Sequence, residues 1–194
     1  IELRRLSGEI PVKINGNTVT IQSRLYNNPG NNQAFQYIKQ QFTKYGLQTQ
    51  SQSFSTNGVN LFGIKYGTLF PERVCIIGAH YDNLPTGPTA PGADDNASGC
   101  AAVLEAARLL ANVDLPNTVI FAAWDEEELG LIGSNAYVSH GIHGASFLGY
   151  INLDMIGWDG NGDRKTEVHT RPVAQSLDLA DKVIQCNEWY DIDL

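Results

Sequence analysis

The feature that most constrains the fold is a set of three short segments with almost continuous apolar character. They are VCIIGA (74–79), VIFAAW (119–124) and YINLDMIG (150–157). Apolar runs of this length, without alternating polar residues, are typical of strands that are buried on both faces of a parallel sheet. Segments with helical spacing of apolar residues separate these runs, so the sequence predicts an α/β fold.

The predicted elements follow one another in the order that a doubly wound sheet requires. We predict helices over 31–47, 97–111, 133–139 and 173–189, and strands over 59–66, 73–79, 118–124, 150–156 and 167–170. This order gives a mostly parallel sheet with helices on both faces, in which ligands bind beyond the carboxyl ends of the strands. The chain stops at YDIDL (190–194), straight after a helix, so we expect the closing C-terminal elements to be missing.

Composition and charge bound the possible functions. The 194 residues are about one domain long, and 42% apolar with 18% charged residues is typical of a globular protein. The formal net charge of -8 argues against nucleic acid as a partner, because such proteins carry a basic surface. No apolar run approaches the roughly 20 residues that span a bilayer. The three cysteines are too few for a disulfide framework.

Polar clusters follow the first two buried strands. His80 and Asp82 follow the first, and because residues i and i+2 of a strand share a face, Asp82 can reach the second ring nitrogen of a metal-binding His80. Four acids at 125–128 follow the second strand. Each cluster also has a plain structural reading, as a hydrogen-bonded loop histidine or as the solvated start of a helix.

Three further acids are harder to explain without a cation. Asp94 and Asp95 stand at the start of a predicted helix, where one N-cap suffices and where each carboxylate gains less than about 2 kcal/mol. Asp154 is the only charged residue in its strand segment, so we expect a partner for it, either a metal or a lysine or arginine. One imidazole with several carboxylates suits zinc, cobalt or manganese.

Four motifs occur in order: IIGAHYDN, PGADDNASG, WDEEELGLIGS and INLDMIG. Together they resemble the co-catalytic dizinc aminopeptidases, the bacterial leucyl aminopeptidase-like metallopeptidases, over about residues 35–189. The resemblance implies a metallopeptidase domain over 1–194 that hydrolyses the N-terminal peptide bond of peptides or proteins. It also implies an extracellular or periplasmic location.

The resemblance assigns four ligands to two zinc ions: His80, Asp95, Glu128 and Asp154. It implies that Asp95 bridges both ions and that Glu128 belongs to the ion that His80 does not bind. Glu127 is then the general base, which takes a proton from a metal-activated water and passes it to the leaving amine. Asp82 orients His80, and the peptide bond that follows Asp95 is expected to be cis.

One ligand of the family's second zinc has no match in this sequence. The family supplies a further histidine from an Asp-His motif downstream of Asp154, and this chain has no such motif. The remaining histidines are His140, His143 and His169. The first two lie in a predicted glycine-bounded turn, SHGIHG, so only His169 is a candidate substitute ligand. We therefore expect an N-terminal fragment of a longer catalytic domain, with one occupied zinc or a weakly bound second one, and with little or no peptidase activity in these 194 residues.

Three other functions remain open at the level of the sequence. A glutaminyl cyclase-like enzyme would use one zinc to cyclise an N-terminal glutamine, and a carboxypeptidase-like zinc enzyme would cut from the other end. A non-catalytic binding domain would keep the fold and lose the ligands. The released product distinguishes the enzymes from one another, and a lack of metal binding would favour the last function.

Overall fold

A computed structural model of the chain describes residues 1–85, 87, 89–140, 146–163, 165–173 and 175–190. Internal contacts divide the chain into two units, Ile1–Gly157 and Trp158–Leu194. The helices are α1 (Glu2–Leu6), α2 (Pro29–Lys44), α3 (Gly99–Leu110), α4 (Ile132–His140) and α5 (Ser176–Tyr190). The strands are β1 (Val12–Ile14), β2 (Asn17–Val19), β3 (Gln48–Ser53), β4 (Val59–Lys65), β5 (Phe70–His80), β6 (Asn117–Trp124) and β7 (Ser146–Asn152). Only α5 belongs to the second unit, and a single metallopeptidase domain over 1–194 stays a prediction.

The central sheet has five strands in the order β3-β4-β6-β5-β7, and β1 pairs with β2 in a separate hairpin. Strand β5 runs parallel to β6 and to β7, whereas β4 is antiparallel to both β6 and β3. All strands of this sheet except β4 therefore point in one direction. The predicted α/β class with a mostly parallel sheet is confirmed.

Helices cover both faces of the sheet, as the apolar runs predict. Alternate residues of β6 divide between two apolar clusters: Phe121 packs on the face covered by α2 and α3, and Trp124 packs on the opposite face against Tyr137 of α4. Because every second residue of a strand faces the same side, a continuous apolar run supplies both clusters. The burial of this run fixes β5 and β6 in the middle of the sheet.

Helix α2 shows why the helix predictions succeed. Its start is capped by Asn28, whose side chain accepts a hydrogen bond from the Gly30 N–H, and Pro29 occupies the first turn. Phe35, Ile38 and Phe42 form its buried stripe. Helix α2 occupies Pro29–Lys44, where the sequence predicts 31–47.

Two strand predictions need correction. The predicted strand over 167–170 is wrong, because the described residues there are exposed, have no partner strand and belong to no regular element. The predicted strand over 150–156 is β7, which begins and ends four residues earlier. Its residues are largely exposed, and in the described part of the chain it lies at the sheet edge rather than in the centre. The chain leaves the sheet after Asn152, and Met155, three residues later, has a left-handed backbone with φ of 50°.

The sequence reading missed β3 because its residues, QTQSQS, are polar throughout, and strand β3 gains its order by pairing with β4. The short elements α1, β1 and β2 were also missed. None of the helices in the described ranges has both the length and the apolar character needed to cross a membrane.

Candidate metal centre

The site lies where β5, β6 and β7 end. His80 is the last residue of β5, Asp125 follows the last residue of β6, and Asp154 lies two residues beyond β7. Because these three strands are parallel neighbours, their carboxyl ends meet at one edge of the sheet. The expectation that polar clusters gather at the strand ends is confirmed.

His80 stands at the centre of this group, with 2% of its side chain exposed. Its Nε2 atom lies 3.1 Å from Oδ1 of Asp95, 3.5 Å from Oδ1 of Asp154 and 3.9 Å from Oε2 of Glu127. Potential ligand atoms of His80, Asp95 and Glu128 all lie within 4.8 Å of one another. The structure therefore brings together all four residues for which the sequence predicts metal binding, with Glu127 beside them.

The spacing of these atoms fits a small divalent cation. Bonds of about 2.0–2.1 Å in a tetrahedral zinc site place neighbouring ligand atoms roughly 3.3 Å apart. The separations of His80 Nε2 from Asp95 and Asp154 bracket that value. Among the described residues, no lysine or arginine forms an ion pair with these carboxylates, since the arginine pairs found there involve Glu2, Glu9 and Glu105. Crowded acids without a cationic side chain favour a bound metal.

Asp82 contacts the imidazole of His80 and also the backbone of Glu127 and Glu128. Its Oδ1 lies 3.3 Å from His80 Nδ1, although off the direction of a good hydrogen bond. The same buried carboxylate accepts hydrogen bonds from the backbone N–H groups of Glu127, at 3.1 Å, and of Glu128, at 3.2 Å. Asp82 thus fixes the backbone of both glutamates relative to His80. The sequence reading missed this second contact because residues 45 positions apart leave no local signal.

The turn Ala93–Ser98 connects the Asp95 side of the site to the Asp154 side. Its backbone is irregular at Asp95 and Asn96, and the peptide bond between them is cis, as the resemblance predicts. The turn makes three hydrogen bonds to the segment around Asp154: Asp94 Oδ1 accepts from Gly157 N–H at 2.8 Å, Ser98 Oγ accepts from Ile156 N–H at 3.1 Å, and Asn96 Nδ2 donates to the Leu153 carbonyl at 2.9 Å. The motif PGADDNASG therefore positions two candidate ligands rather than one.

The ionisable groups of the site influence one another strongly. Burial lowers the pKa of His80, but hydrogen bonds and negative charge from Asp154 and Asp82 outweigh burial and raise that pKa to about 10. Burial also raises the pKa of Glu127 and of Glu128, and nearby carboxylates add to this effect while His80 opposes it. In the metal-free protein, a protonated His80 therefore partly neutralises the surrounding acids.

Of the other three histidines, two lie in the described part of the chain. His140 ends α4 and has its Nδ1 2.7 Å from the Ala136 carbonyl oxygen. His169 belongs to the second unit, where its Nε2 lies 2.9 Å from Oε2 of Glu167 and both side chains are exposed. His143 lies outside the described residues. A role for His169 as a substitute ligand stays untested.

The sequence is similar to those of curated proteins named as zinc metalloproteases and aminopeptidases. The chain is 34% identical over 134 residues to a protein of Pyrenophora tritici-repentis named a probable zinc metalloprotease, covering 66% of this chain and 31% of that protein. It is 36% identical over 144 residues to one of Mycobacterium tuberculosis named a probable lipoprotein aminopeptidase, covering 68% and 27%. The chain thus spans about a third or less of the length of the curated relatives that it matches.

Solved structures show the same fold. LapB from Legionella pneumophila superposes with a TM-score of 0.65 at 27% identity, covering 84% of this chain and 43% of that one. A glutaminyl cyclase from Porphyromonas gingivalis has a TM-score of 0.64 at 20% identity, covering 80% and 59%, which establishes a common fold alone. The model of peptidase family M28 matches residues 60–184, more than half of the sequence. The chain belongs to peptidase family M28.

Proposed function

We propose that the protein is a zinc-dependent aminopeptidase, or the metal-binding part of one, that hydrolyses the N-terminal peptide bond of peptides or proteins. The observation that carries this proposal is the convergence of His80, Asp95, Glu128 and Asp154, with Glu127 alongside, at the carboxyl ends of parallel strands. Membership of family M28 and the names of the relatives support it.

The proposed roles are those that the resemblance to the dizinc aminopeptidases implies, and the separations of the side chains support them. His80 and Asp154 would hold one zinc, Glu128 would hold a second, and Asp95 would be a ligand of both. Asp82 holds the imidazole of His80 and the backbone of Glu127 and Glu128 in fixed relative positions. Because the second ion has only two ligands among these residues, we expect one well-bound zinc and a weaker second one.

Zinc bound at this site supplies Lewis-acid polarisation of the scissile carbonyl and lowers the pKa of water towards neutrality. Glu127 is the proton carrier: its carboxylate accepts a proton from the attacking water and then donates it to the leaving amine. Its raised pKa suits this task, because a base whose pKa is closer to neutrality can both take and return a proton. The backbone hydrogen bond to Asp82 limits the movement of Glu127 between the two transfers.

The charge of the site favours a substrate with a free amino terminus. Asp95, Glu127 and Glu128 are partly exposed and present carboxylates to a ligand entering from solvent. Glu127, which is not a proposed zinc ligand, would attract a protonated α-amine even when zinc offsets the charge of Asp95 and Glu128. We infer peptide N-termini as the substrate class, and a location outside the cytoplasm, as the lipoprotein relative's name suggests.

The product of a peptide digest tests the reaction type. A form of the protein that spans the whole length of its relatives is purified, supplied with zinc and incubated with three peptides: one with a free N-terminal leucine, its N-acetylated form, and one that begins with glutamine. Release of leucine from the first peptide only is the expected result. A pyroglutamyl product would replace the proposal with a cyclase, and release of a C-terminal residue would replace it with a carboxypeptidase. Absence of zinc binding would remove the metal centre altogether.

The role of Glu127 is tested with a matched pair of variants. Glu127→Gln is expected to lower kcat by about 10²–10⁴-fold while zinc remains bound, because the amide cannot carry the proton. Glu126→Gln is the control, since Glu126 accepts a hydrogen bond from Ser55 Oγ that an amide oxygen can also accept. Unchanged turnover in Glu127→Gln would exclude this residue as the base.

A further inference from the structure

Arg24 is the largest of the fully buried side chains and lies beside the metal centre. Its guanidinium donates four hydrogen bonds, all to backbone carbonyls: Nε to Tyr81 at 2.8 Å, Nη1 to Leu6 at 2.7 Å and to Pro91 at 2.9 Å, and Nη2 to Gly92 at 2.8 Å. None of these acceptors is a carboxylate. A fully buried cation held only by carbonyl groups is uncommon and calls for an explanation.

Three of the four carbonyl groups that Arg24 binds belong to the two segments that carry candidate ligands, and the fourth, that of Leu6, ends α1. Tyr81 lies directly between His80 and Asp82, and Pro91–Gly92 opens the turn that presents Asp95. The Arg24 backbone N–H also donates to Asn83 Oδ1 at 2.9 Å, and Asn83 Nδ2 donates to the Ala90 carbonyl at 2.7 Å. Arg24 and Asn83 together join the exit of β5 to the start of the turn.

The backbone at Gly92 is shaped to receive this side chain. Gly92 has a left-handed conformation, with φ of 46°. A Cβ atom there would lie 2.4 Å from the Asp95 carbonyl oxygen, 2.7 Å from Arg24 Nη2 and 2.7 Å from Asn83 Nδ2. Only a residue without a side chain lets the guanidinium and the turn approach so closely.

The choice of arginine has a physical reason. A neutral amide side chain could bridge two carbonyl groups without the cost of burying a charge, but only a guanidinium has enough fixed donors to bind four carbonyls in three segments. Burial lowers the pKa of Arg24, and the negative charges of Asp82, Asp95 and Glu128 oppose this shift. The acidic centre therefore makes a buried cation tolerable at this position.

We propose that Arg24 is a positioning residue of the metal centre, whose guanidinium fixes the distance between the His80 segment and the Asp95 turn. This inference rests on the proposed zinc site and adds a residue that touches neither metal nor substrate. Without the planar set of N–H donors of the guanidinium, the two ligand-bearing segments could move apart. The ligand atoms of His80 and Asp95 would then no longer be held at the distance that one metal site requires.

The test compares Arg24→Lys with Ile38→Ala. Lysine keeps the positive charge but lacks the planar set of N–H donors of a guanidinium. Ile38 is a buried core residue of α2 and serves as the control. Zinc affinity is measured by competition with a chromophoric chelator, the absorption spectrum is recorded with Co²⁺, and metal-free stability is measured by thermal unfolding. We expect Arg24→Lys to bind zinc at least tenfold more weakly, with an altered Co²⁺ spectrum. Ile38→Ala should unfold at a lower temperature yet bind zinc within twofold of the unaltered protein.

A folded Arg24→Lys protein with unaltered zinc affinity and Co²⁺ spectrum would overturn the inference, and so would a loss of affinity as large in Ile38→Ala. If Arg24→Lys does not fold, the zinc affinity of Asn83→Ala tests the inference instead. This change removes the hydrogen bonds of Asn83 to the Arg24 N–H and to the Ala90 carbonyl, and it keeps the guanidinium. Reduced zinc affinity in Asn83→Ala supports the inference, and unaltered affinity refutes it. Failure of the unaltered protein to bind zinc would instead refute the proposed function.

Discussion

At the residue scale, the adjacent side chains of Asp94 and Asp95 make different contacts. Asp95 Oδ1 lies 3.1 Å from His80 Nε2, inside the group of candidate ligands. The neighbouring Asp94 instead accepts a hydrogen bond from the Gly157 backbone N–H, which an amide oxygen can also accept. The same side chain is therefore a candidate metal ligand at one position and has a structural role at the next.

This difference predicts opposite outcomes for the same substitution. Asp95→Asn should weaken zinc binding by a hundredfold or more, because it replaces a charged bridging ligand by a neutral amide. Asp94→Asn should change zinc affinity by no more than about threefold, since its hydrogen bond to Gly157 survives. Zinc titration of the two proteins measures both constants, and equal losses in the two variants would contradict the division of roles.

The pKa of His80 predicts a proton-linked metal site. Its folded value of about 10 lies above the ordinary 6.5. Protonation of His80 therefore stabilises the metal-free fold fully below pH 6.5, and this stabilisation is lost as the pH rises from 6.5 through about 10. Zinc requires the neutral imidazole and must displace that proton.

We expect the release of about one proton from His80 per zinc bound at pH 7, and an apparent affinity that rises roughly tenfold per pH unit between pH 6.5 and 8.5. Calorimetry in buffers with different ionisation enthalpies measures the released proton. A binding heat that does not depend on the buffer, together with a flat pH profile, would show that His80 is neutral before the metal arrives.

At the scale of elements, the turn between β5 and α3 determines whether the site is preformed. Gly92→Ala should destabilise the metal-free protein by about 1–3 kcal/mol, because the new Cβ meets a carbonyl oxygen and two buried nitrogen atoms in a left-handed backbone. The zinc affinity of Gly92→Ala should also be lower than that of the unaltered protein. Gly87→Ala is the matched control, since a Cβ at Gly87 meets nothing within 4 Å.

Chemical denaturation of both glycine variants in the presence of a chelator measures these stabilities. A Gly92→Ala protein as stable as the Gly87→Ala control would mean that the turn adapts, and that its close contact with Arg24 and Asn83 is not required.

At the scale of the whole molecule, zinc is expected to couple folding to the site, because its candidate ligands come from four separate stretches of the chain. A zinc concentration 100-fold above Kd should stabilise the folded state by about 2.7 kcal/mol, a rise in Tm of roughly 5–10 °C. Thermal unfolding with and without a chelator measures this shift. The Asp95→Asn protein should show little of it, and an equal shift in that variant would place the bound zinc elsewhere.

Much of the fold could be predicted because its signals are local. Strands β5 and β6 are continuous apolar runs, and helices α2 and α3 carry regular apolar stripes, so pattern alone identifies them. Strand β3 is polar and could not be found this way, since its order comes from pairing with β4. The predicted strand over 167–170 failed for the complementary reason: a short apolar alternation forms no strand without a partner.

The sequence by itself determined which residues gather at the site, because a buried strand must end somewhere and the polar residues that follow it are fixed by covalent order. His80, Glu127 and Glu128 follow buried strands in this way, whereas Asp95 stands at the start of a predicted helix and Asp154 is the only charge in its strand segment. The resemblance of the four motifs to the dizinc aminopeptidases then selected these five residues. Only the tertiary structure decided what holds them in place. Asp82 accepts hydrogen bonds from the backbone N–H groups of the two glutamates, and Arg24 donates hydrogen bonds to the Tyr81 and Gly92 carbonyls. These bonds join residues 45 to 68 positions apart. Such contacts depend on how the elements pack, and local sequence carries no record of them.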